Sequence, residues 1–472
     1  MEIAMNAASR SRFTEGGMFV KILMFALPIM ATSVLQILYN SADNIVVGQF
    51  SGDPEALAAV GCTGAFTNLV INLLIGVASG AGVIVAQHYG AERYRDVERT
   101  VHTAMMTSII GGIIFMGIGL ALHRQVLSLI VAEERLFEKA ATYVLVICFG
   151  IPATSVYNFG ASILRSTGDS KTPLVILTAS GLINVLLNLL FVIVFHLSIV
   201  GVALATIISQ YASATAIVAV LIRARGECYR LIPKNLRIER GVLIRMLALG
   251  IPAGLQSAAY NVANMVVVGG VNTFDRPVIS ANAVAGTVDG LVYVCMNCFM
   301  QAVMTFAGQN WGAGKVDRVK KSLFYSLIQV SLVGLAVSAL TFVFCEPVVK
   351  LFVQSDDPLY TEVIDAATRW IRFLIFFYVL CGISEVLSGF LRGLGYSTLP
   401  MIMSLCGICL SRIIWVSVIF GYLPHEIEYL IACFPISWAI ATVLMLILVI
   451  HAYRRISHLT PTKPIDAVRD VE

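Results

Sequence analysis

The sequence predicts an all-α polytopic membrane protein with twelve transmembrane helices in two pseudo-symmetric six-helix lobes. Of its 472 residues, 58% are hydrophobic and only 13% are charged, whereas soluble domains carry about 25% charged residues. Apolar stretches that are long enough to cross a bilayer follow one another along the chain. The same polar motifs also occur twice in the same order, at an offset of about 222 residues.

Three pairs of motifs define this internal repeat. They are YNSADNIVVG (39–48) with YNVANMVVVG (260–269), AQHYGAERYRDVER (86–99) with GQNWGAGKVDRVKK (308–321), and LRSTGDSKTP (164–173) with LRGLGYSTLP (391–400). Two halves around a shared cavity are typical of secondary transporters, in which one half rocks against the other.

The apolar stretches predict spans near residues 20–48, 57–87, 99–122, 137–163, 173–195, 199–222, 243–271, 279–309, 320–345, 360–391, 399–420 and 428–452. This map divides the chain into a cytoplasmic N-terminal segment (1–19), an N-lobe (20–222), a basic cytoplasmic connector (223–242), a C-lobe (243–453) and a cytoplasmic tail (454–472).

The charge distribution predicts the orientation of the spans. Most of the 32 Lys and Arg residues fall on the side of the map that both termini share, and cytoplasmic loops carry such an excess. We therefore expect a multi-pass protein of the cytoplasmic (inner) membrane with both termini in the cytoplasm and no cleavable signal. The net charge of +4 then reflects topology and membrane lipids as partners, not a nucleic acid.

Several function classes have no support in the sequence. The segment GQNWGAGKV (308–316) is not a phosphate-binding loop, because Gln309 and Val316 stand where that motif needs Gly and Ser or Thr. We therefore expect no ATP-driven step. Motifs of hydrolases and metalloproteases do not occur, and the cysteine pairs lack His or acidic partners at ligand spacing. The sequence predicts a transporter, not an enzyme, without a cofactor or structural metal.

The motifs resemble those of one transporter family. ALP (26–28) followed by ADNIVVG, the QHYGA and QNWGA sequences at span ends, and LRSTGDSKTP together resemble the bacterial-type multidrug and toxic compound extrusion (MATE) family. The resemblance implies a two-lobed antiporter of twelve helices that exports organic cations in exchange for Na⁺ or H⁺.

Asp43 is the first candidate for coupling transport to an ion. Its counterpart in the repeat is the neutral Asn264, so only the first half carries a carboxylate there. A carboxylate can bind Na⁺ together with amide oxygens, or a proton. Asn184 and Asn188 share one face of the fifth span, and the resemblance points to the same three residues. The alternative is a hydrogen-bond network that only packs the two helices.

The second half carries three further charged residues inside spans, where unpaired charges are costly. Asp289 and Arg412 have comparable depths, so we expect them to pair; the alternatives are that Arg412 snorkels or bonds backbone carbonyls. Glu385 could be a proton-coupling group, a substrate anchor or a structural partner. Tyr260 stands where some sodium-coupled members of the family carry an acid, so a second sodium site has no support.

A substrate cavity is predicted around flexible and aromatic side chains. Met296, Met300 and Met304 recur at four-residue spacing with Asp289 on the same helix face, and thioethers suit varied cations. Ring faces that attract cations could come from Tyr39, Phe66, Tyr260 and Tyr293. The alternative for the methionines is packing against another helix.

Prolines interrupt the first span of each half, at Pro28 and Pro252. A proline in a span frees a carbonyl group and permits bending, so we expect helix bends that connect Asp43 to the shape of the cavity.

These features predict alternating access, for which a monomer would be sufficient. Na⁺ or H⁺ binds at Asp43 and displaces an organic cation, which gives exchange without ATP. The sequence leaves open which ion couples, the physiological substrate and the oligomeric state. The alternatives are a lipid-linked oligosaccharide flippase, which would favour a basic cavity, and a non-transporting receptor or scaffold, which would tolerate the loss of Asp43.

Overall fold

The computed structural model describes residues 13–50, 55–128, 133–353 and 358–458. Within these ranges the chain is helical and contains no strand. The α-helices are α1 (Met18–Phe50), α2 (Ala56–Gly90), α3 (Tyr94–Ser128), α4 (Glu134–Cys148), α5 (Ile151–Ser166), α6 (Lys171–Leu189), α7 (Ser198–Arg223), α8 (Arg240–Val271), α9 (Arg276–Gly312), α10 (Val316–Val343), α11 (Cys345–Lys350), α12 (Tyr360–Leu374), α13 (Tyr378–Leu394), α14 (Thr398–Ser404), α15 (Ser411–Ile414), α16 (Ile427–Ile431) and α17 (Cys433–His458).

Shorter irregular turns connect several of these helices into longer spans. Turns of π-helix cover Leu190–Val194, Leu405–Leu410 and Trp415–Ile419, and 3₁₀ turns cover Pro233–Asn235, Ile375–Phe377 and Phe420–Tyr422. With these turns included, α12 and α13 form one span (Tyr360–Leu394), and α14 and α15 form another (Thr398–Tyr422).

The number of spans confirms the predicted fold class. Among the described residues, eleven helices are long and apolar enough to cross a membrane. The pair α4 and α5 makes a twelfth span that bends by 48° at its break. The break precedes Pro152, which lies in the first turn of α5, where its missing N–H leaves no hydrogen bond unmade.

By contact, the chain forms two compact units. Unit 1 contains Ala31–Leu255, and unit 2 contains Phe13–Met30 together with the chain from Gln256 onwards. Helices α1 and α8 are therefore each divided between the units. The predicted lobe boundaries at residues 222 and 243 follow the order of the spans along the chain and stay a prediction. The contacts place the first part of α1 in unit 2 and the first part of α8 in unit 1.

The division of α1 and α8 falls close to their prolines. Both helices continue past Pro28 and Pro252, and the change of unit follows within three residues, after Met30 and after Leu255. The predicted bend at these prolines stays a prediction.

Glycines bring α2 and the first part of α8 into backbone contact within unit 1. A Cβ atom built at Gly76 would lie 2.4 Å from the Gly254 nitrogen, and one at Gly80 would lie 2.5 Å from the Met246 oxygen. Gly250 and Gly254 meet α2 in the same way. The two facing G-x-x-x-G pairs let the helices approach more closely than any larger residue would allow.

The repeated motif at the end of α2 contacts helix α8 in unit 1. The repeated motif at the end of α9 contacts the residues just before α1 in unit 2. In unit 1, Gln87 Oε1 accepts a hydrogen bond of 2.9 Å from Arg245 Nη2. In unit 2, Asn310 Nδ2 donates to the Phe13 carbonyl at 3.3 Å, and the rings of Phe13 and Phe306 stack at 3.9 Å. Part of the repeated polar signature is therefore structural.

The glycine contact predicts a selective loss of stability. Gly76→Ala forces a methyl group into the backbone of α8, which cannot move without shifting a helix, and should cost about 1–3 kcal/mol. Gly117→Ala on α3 is the matched control, because a Cβ atom there would have no neighbour within 4 Å. Thermal unfolding in detergent should show a lower Tm for Gly76→Ala only; equal Tm values for the two variants would contradict the contact.

Candidate functional site

Asp43 and Asn188 meet in unit 1, as the sequence predicted. Asn188 Nδ2 donates to Asp43 Oδ1 and lies 3.4 Å from Asn184 Oδ1. The side chain of Asn188 is fully buried at 0% exposure. The carboxylate of α1 is therefore held from α6 by an amide.

This pair leaves oxygen atoms available to a cation. Asn188 Oδ1 is buried without a hydrogen-bond partner, although buried polar atoms are nearly always satisfied. Among the described residues, the ion pairs join other groups, and no Lys or Arg neutralises Asp43. Carboxylate and amide oxygens are ligands for a hard cation such as Na⁺, and the carboxylate alone can take up a proton.

One helical turn before Asp43, Tyr39 fixes α1 against α6. Its hydroxyl donates to the Thr178 carbonyl at 3.2 Å, and its ring occupies the space where a side chain at Gly181 would stand. The structure thus gives Tyr39 a packing contact within unit 1. The glycine sets the distance between the two helices that carry the site.

A third helix completes the site through a residue that the sequence analysis did not select. Thr206 Oγ1 on α7 accepts a hydrogen bond of 3.4 Å from Asn184 Nδ2 and donates to its own helix at the Val202 carbonyl. A threonine in an apolar span carries no signal that distinguishes it from those that bond only their own helix. A cluster of buried apolar residues contains Val46 and Val47 of α1, Tyr143 of α4, Val192 of the π-helical turn after α6, and Val202 of α7.

Asp289 and Arg412 do not form the predicted ion pair. Arg412 is 4% exposed and donates from Nη1 to Asn264 Oδ1 at 2.6 Å and from Nε to Ser437 Oγ at 3.0 Å. Its guanidinium also lies over the ring of Phe434, at 4.4 Å from the centroid. The prediction is wrong because depth along a helix does not determine the direction in which a side chain points.

Asp289 instead lies among aromatic side chains. Tyr378 and Trp370 are beside its carboxyl group, and its Oδ1 atom is buried without a hydrogen-bond partner. The ring of Tyr378 contacts that of Trp438 at 4.8 Å, and Trp438 contacts Arg412 at 5.9 Å. Aromatic contacts therefore link the two charges that were expected to touch.

Glu385 belongs to a buried polar cluster in unit 2. It is 6% exposed and interacts electrostatically with Tyr260, Tyr293 and Arg392. The sequence indicated Tyr260, Tyr293 and Glu385 as separate candidates and did not predict a contact between them. The structure places them in one network.

Two residues that the sequence analysis missed connect this network. Gln256 accepts a hydrogen bond of 2.6 Å from Arg392 Nη2 and donates to the Tyr260 hydroxyl at 2.8 Å and to Ser404 Oγ at 2.9 Å. Arg392 lies near the end of its span and is only 9% exposed. A glutamine four residues before Tyr260 was the available signal for the network.

The methionine stripe packs between helices. Met296 is fully buried, and Cβ atoms built at Gly334 and Gly382 would lie 3.2 and 3.0 Å from its sulfur. The prediction that Met296 lines a cavity is therefore wrong, because glycines on α10 and α13 admit its side chain into the core. Met300 contacts Gly389 in the same way. The side chain of Phe66 lies outside the described residues.

Twelve spans in a duplicated arrangement, with charged groups held inside the membrane-spanning part, define a polytopic secondary transporter. The MatE family model matches residues 28–190 and 252–417, which is most of the chain and includes both halves. The chain belongs to the MatE family, and it is a transporter, not an enzyme.

Individual relatives agree with this assignment. The chain is 25% identical to the probable multidrug resistance protein YoeA of Bacillus subtilis over 94% of this chain and 96% of that protein. It is 24% identical to the probable multidrug resistance protein NorM of Thermotoga maritima, covering 83% and 84%. A solved outward-facing structure of a MATE family multidrug resistance transporter matches its fold with a TM-score of 0.88 at 20% identity, covering 95% and 98% of the two chains.

The geometry around Asp43 predicts a specific effect of Asn188→Ala. Among the described residues, Asn188 is the side chain that donates to Asp43, and an unsatisfied buried acceptor costs about 1–3 kcal/mol. We expect a lower Tm in detergent and a smaller stabilisation by added Na⁺ or by low pH. Asn158→Ala is the matched control, since Asn158 bonds only the Thr154 carbonyl of its own helix. Equal ion-dependent shifts in both variants would exclude Asn188 from the ion site.

Proposed function

We propose that the protein is a cation-coupled antiporter that exports organic cations and drugs across the cytoplasmic membrane by alternating access. The coupling ion is H⁺ or Na⁺, both termini lie in the cytoplasm, and a monomer is sufficient. One observation carries the proposal: a membrane-embedded carboxylate, Asp43, is held by an amide whose own oxygen has no partner.

This arrangement suits an exchange of cations. A basic partner would neutralise Asp43 permanently, whereas an amide positions the carboxylate and leaves its charge to be compensated by a mobile ion. Na⁺ would take oxygens of Asp43, Asn184 and Asn188, and H⁺ would need Asp43 alone. A cationic cargo that binds the same carboxylate binds more tightly once the ion has left. Binding of the ion therefore favours release of the cargo, and binding of the cargo favours release of the ion.

Helix α1 supplies a physical route from the ion to the rest of the protein. Its residues after Met30, including Asp43, pack in unit 1, and its earlier residues pack in unit 2. A change in how α1 is held at Asp43 therefore acts on a helix that both units share, close to Pro28.

The names of the relatives favour drug export over the alternatives. Two relatives that match over most of their length are described as probable multidrug resistance proteins. A receptor or scaffold would not require a carboxylate with an unsatisfied amide beside it.

Efflux from proteoliposomes tests the proposal. Native protein should expel a fluorescent organic cation when a Na⁺ or a pH gradient is imposed, and the effective gradient identifies the ion. Asp43→Asn removes the exchangeable charge and should lower gradient-driven efflux on the order of tenfold or more. The thermal stability of the variant should be measured alongside, so that misfolding is recognised.

Glu346→Gln is the matched control, because Glu346 is an exposed acid on α11 paired with Lys350. It should transport like the native protein. Gradient-driven efflux that survives Asp43→Asn would overturn the proposed mechanism.

A further inference from the structure

The corresponding pairs of spans in the two halves carry charged side chains of opposite sign. Asn264 occupies the place in the repeated motif that Asp43 occupies in the first half. In unit 1, the acid of α1 bonds an amide from the helix that follows the LRSTGDSKTP motif. In unit 2, the amide of α8 bonds Arg412, from the helical span that follows LRGLGYSTLP. An acid contacts an amide between these two spans in one half, and an amide contacts a base between the corresponding spans in the other, although the aligned motifs place Arg412 opposite Val185 and not opposite Asn188.

In the described part of the chain, the charge of Arg412 has no acidic partner. Its side chain is 4% exposed, and among the described residues its hydrogen bonds go to the neutral Asn264 and Ser437. Asp289 is occupied elsewhere, beside Tyr378 and Trp370. A charged side chain inside a membrane carries a cost in free energy unless an opposite charge compensates it. Burial of Arg412 removes water from its guanidinium, and its neutral partners supply no counter-charge to offset that cost.

The guanidinium also keeps donors available. It has five N–H groups, and the two hydrogen bonds use one on Nε and one on Nη1. The ring centroid of Phe434 lies 4.4 Å from the guanidinium carbon. The remaining donors on Nη1 and Nη2 form the fork that binds carboxylate or phosphate through two parallel hydrogen bonds.

The backbone around Arg412 is irregular on both sides. The short helix α15 (Ser411–Ile414) stands between two π-helical turns, Leu405–Leu410 and Trp415–Ile419. Such turns are rare and frequently mark functional sites. The other π-helical turn among the described residues begins at Leu190, two residues after Asn188 of the cation site. The same backbone feature thus accompanies the polar residue in both halves.

We propose that Arg412, Asn264 and Ser437 form an anion subsite in unit 2 that binds the carboxylate or phosphate group of an organic cargo. The subsite extends the cargo from organic cations to molecules that carry an anionic group as well. It deepens the proposed function and rests on it for the statement that such molecules are transported. Binding itself does not depend on ion coupling.

Anion binding by purified protein tests the subsite. Benzoate and phenyl phosphate are titrated into native protein in maltoside detergent and phosphate-free buffer, and binding is followed by calorimetry and by tryptophan fluorescence, since Trp438 lies 5.9 Å from the guanidinium. Native protein should bind at least one of the two, and binding should weaken as salt is added. Benzyltrimethylammonium serves as the cationic comparison and should not compete.

Asn264→Asp is the decisive variant. It leaves Arg412 in place and gives it a built-in counter-ion, so the protein should remain folded while the affinity for the anions falls on the order of tenfold or more. Arg412→Gln should lose binding, and Arg412→Lys should retain part of it without the forked geometry. Arg369→Gln is the control, because Arg369 is exposed and already paired with Asp365.

Three results would overturn the subsite: no binding of either anion to native protein, undiminished binding by a folded Asn264→Asp variant, or binding of dihexanoyl phosphatidylglycerol alone, which would identify a lipid headgroup as the occupant. Asp43→Asn should bind the anions like the native protein. A failure of ion coupling in that variant is therefore distinguishable from a failure of the anion subsite.

Discussion

The contact between Asp43 and Asn188 is the interaction on which this account depends. An amide can orient a buried carboxylate through a hydrogen bond, but it cannot neutralise the charge. The unsatisfied oxygen of Asn188 adds a second electron-rich atom at the same place. In the proposed mechanism a mobile cation compensates this charge, whereas a basic side chain would form a permanent salt bridge.

The twelve spans and the duplication could be predicted from the sequence because they follow from the length of apolar segments and from repeated motifs, which are properties of the chain itself. Asp43 and Asn188 could be predicted to meet because their depths agree and the resemblance to the family points to the same helices. The prediction that Asp289 pairs with Arg412 was wrong because equal depth in the membrane leaves the rotation of each helix about its axis undetermined. The prediction that Met296 lines a cavity was wrong for a related reason. The spacing of residues shows that they share a helix face, but it does not show what that face contacts.

Other parts of the site required the fold. Thr206 and Gln256 act through contacts with helices far away in the chain, and no local pattern distinguishes them from other polar residues in spans. Arg392 lies near a span end, and hydropathy does not show that the surrounding helices bury it. The division of α1 and α8 between the two units also depends on tertiary contacts, which hydropathy does not contain.

The duplication explains how one architecture can hold two kinds of charge. Each half brings a polar residue of its first long helix against a polar residue of its fifth span. One half places an acid against an amide between these two spans, and the other half places an amide against a base between the corresponding spans. Similar backbones can thus position opposite charges.

Simultaneous measurement of ion and cargo binding tests the central claim most directly. Purified protein is loaded with radioactive sodium, or equilibrated with a pH-sensitive dye, and tetraphenylphosphonium is then added. The account predicts that the cation releases bound Na⁺ or H⁺ from native protein and that excess ion displaces the cation in turn. Native protein that holds ion and cation together, with neither weakening the binding of the other, would contradict it.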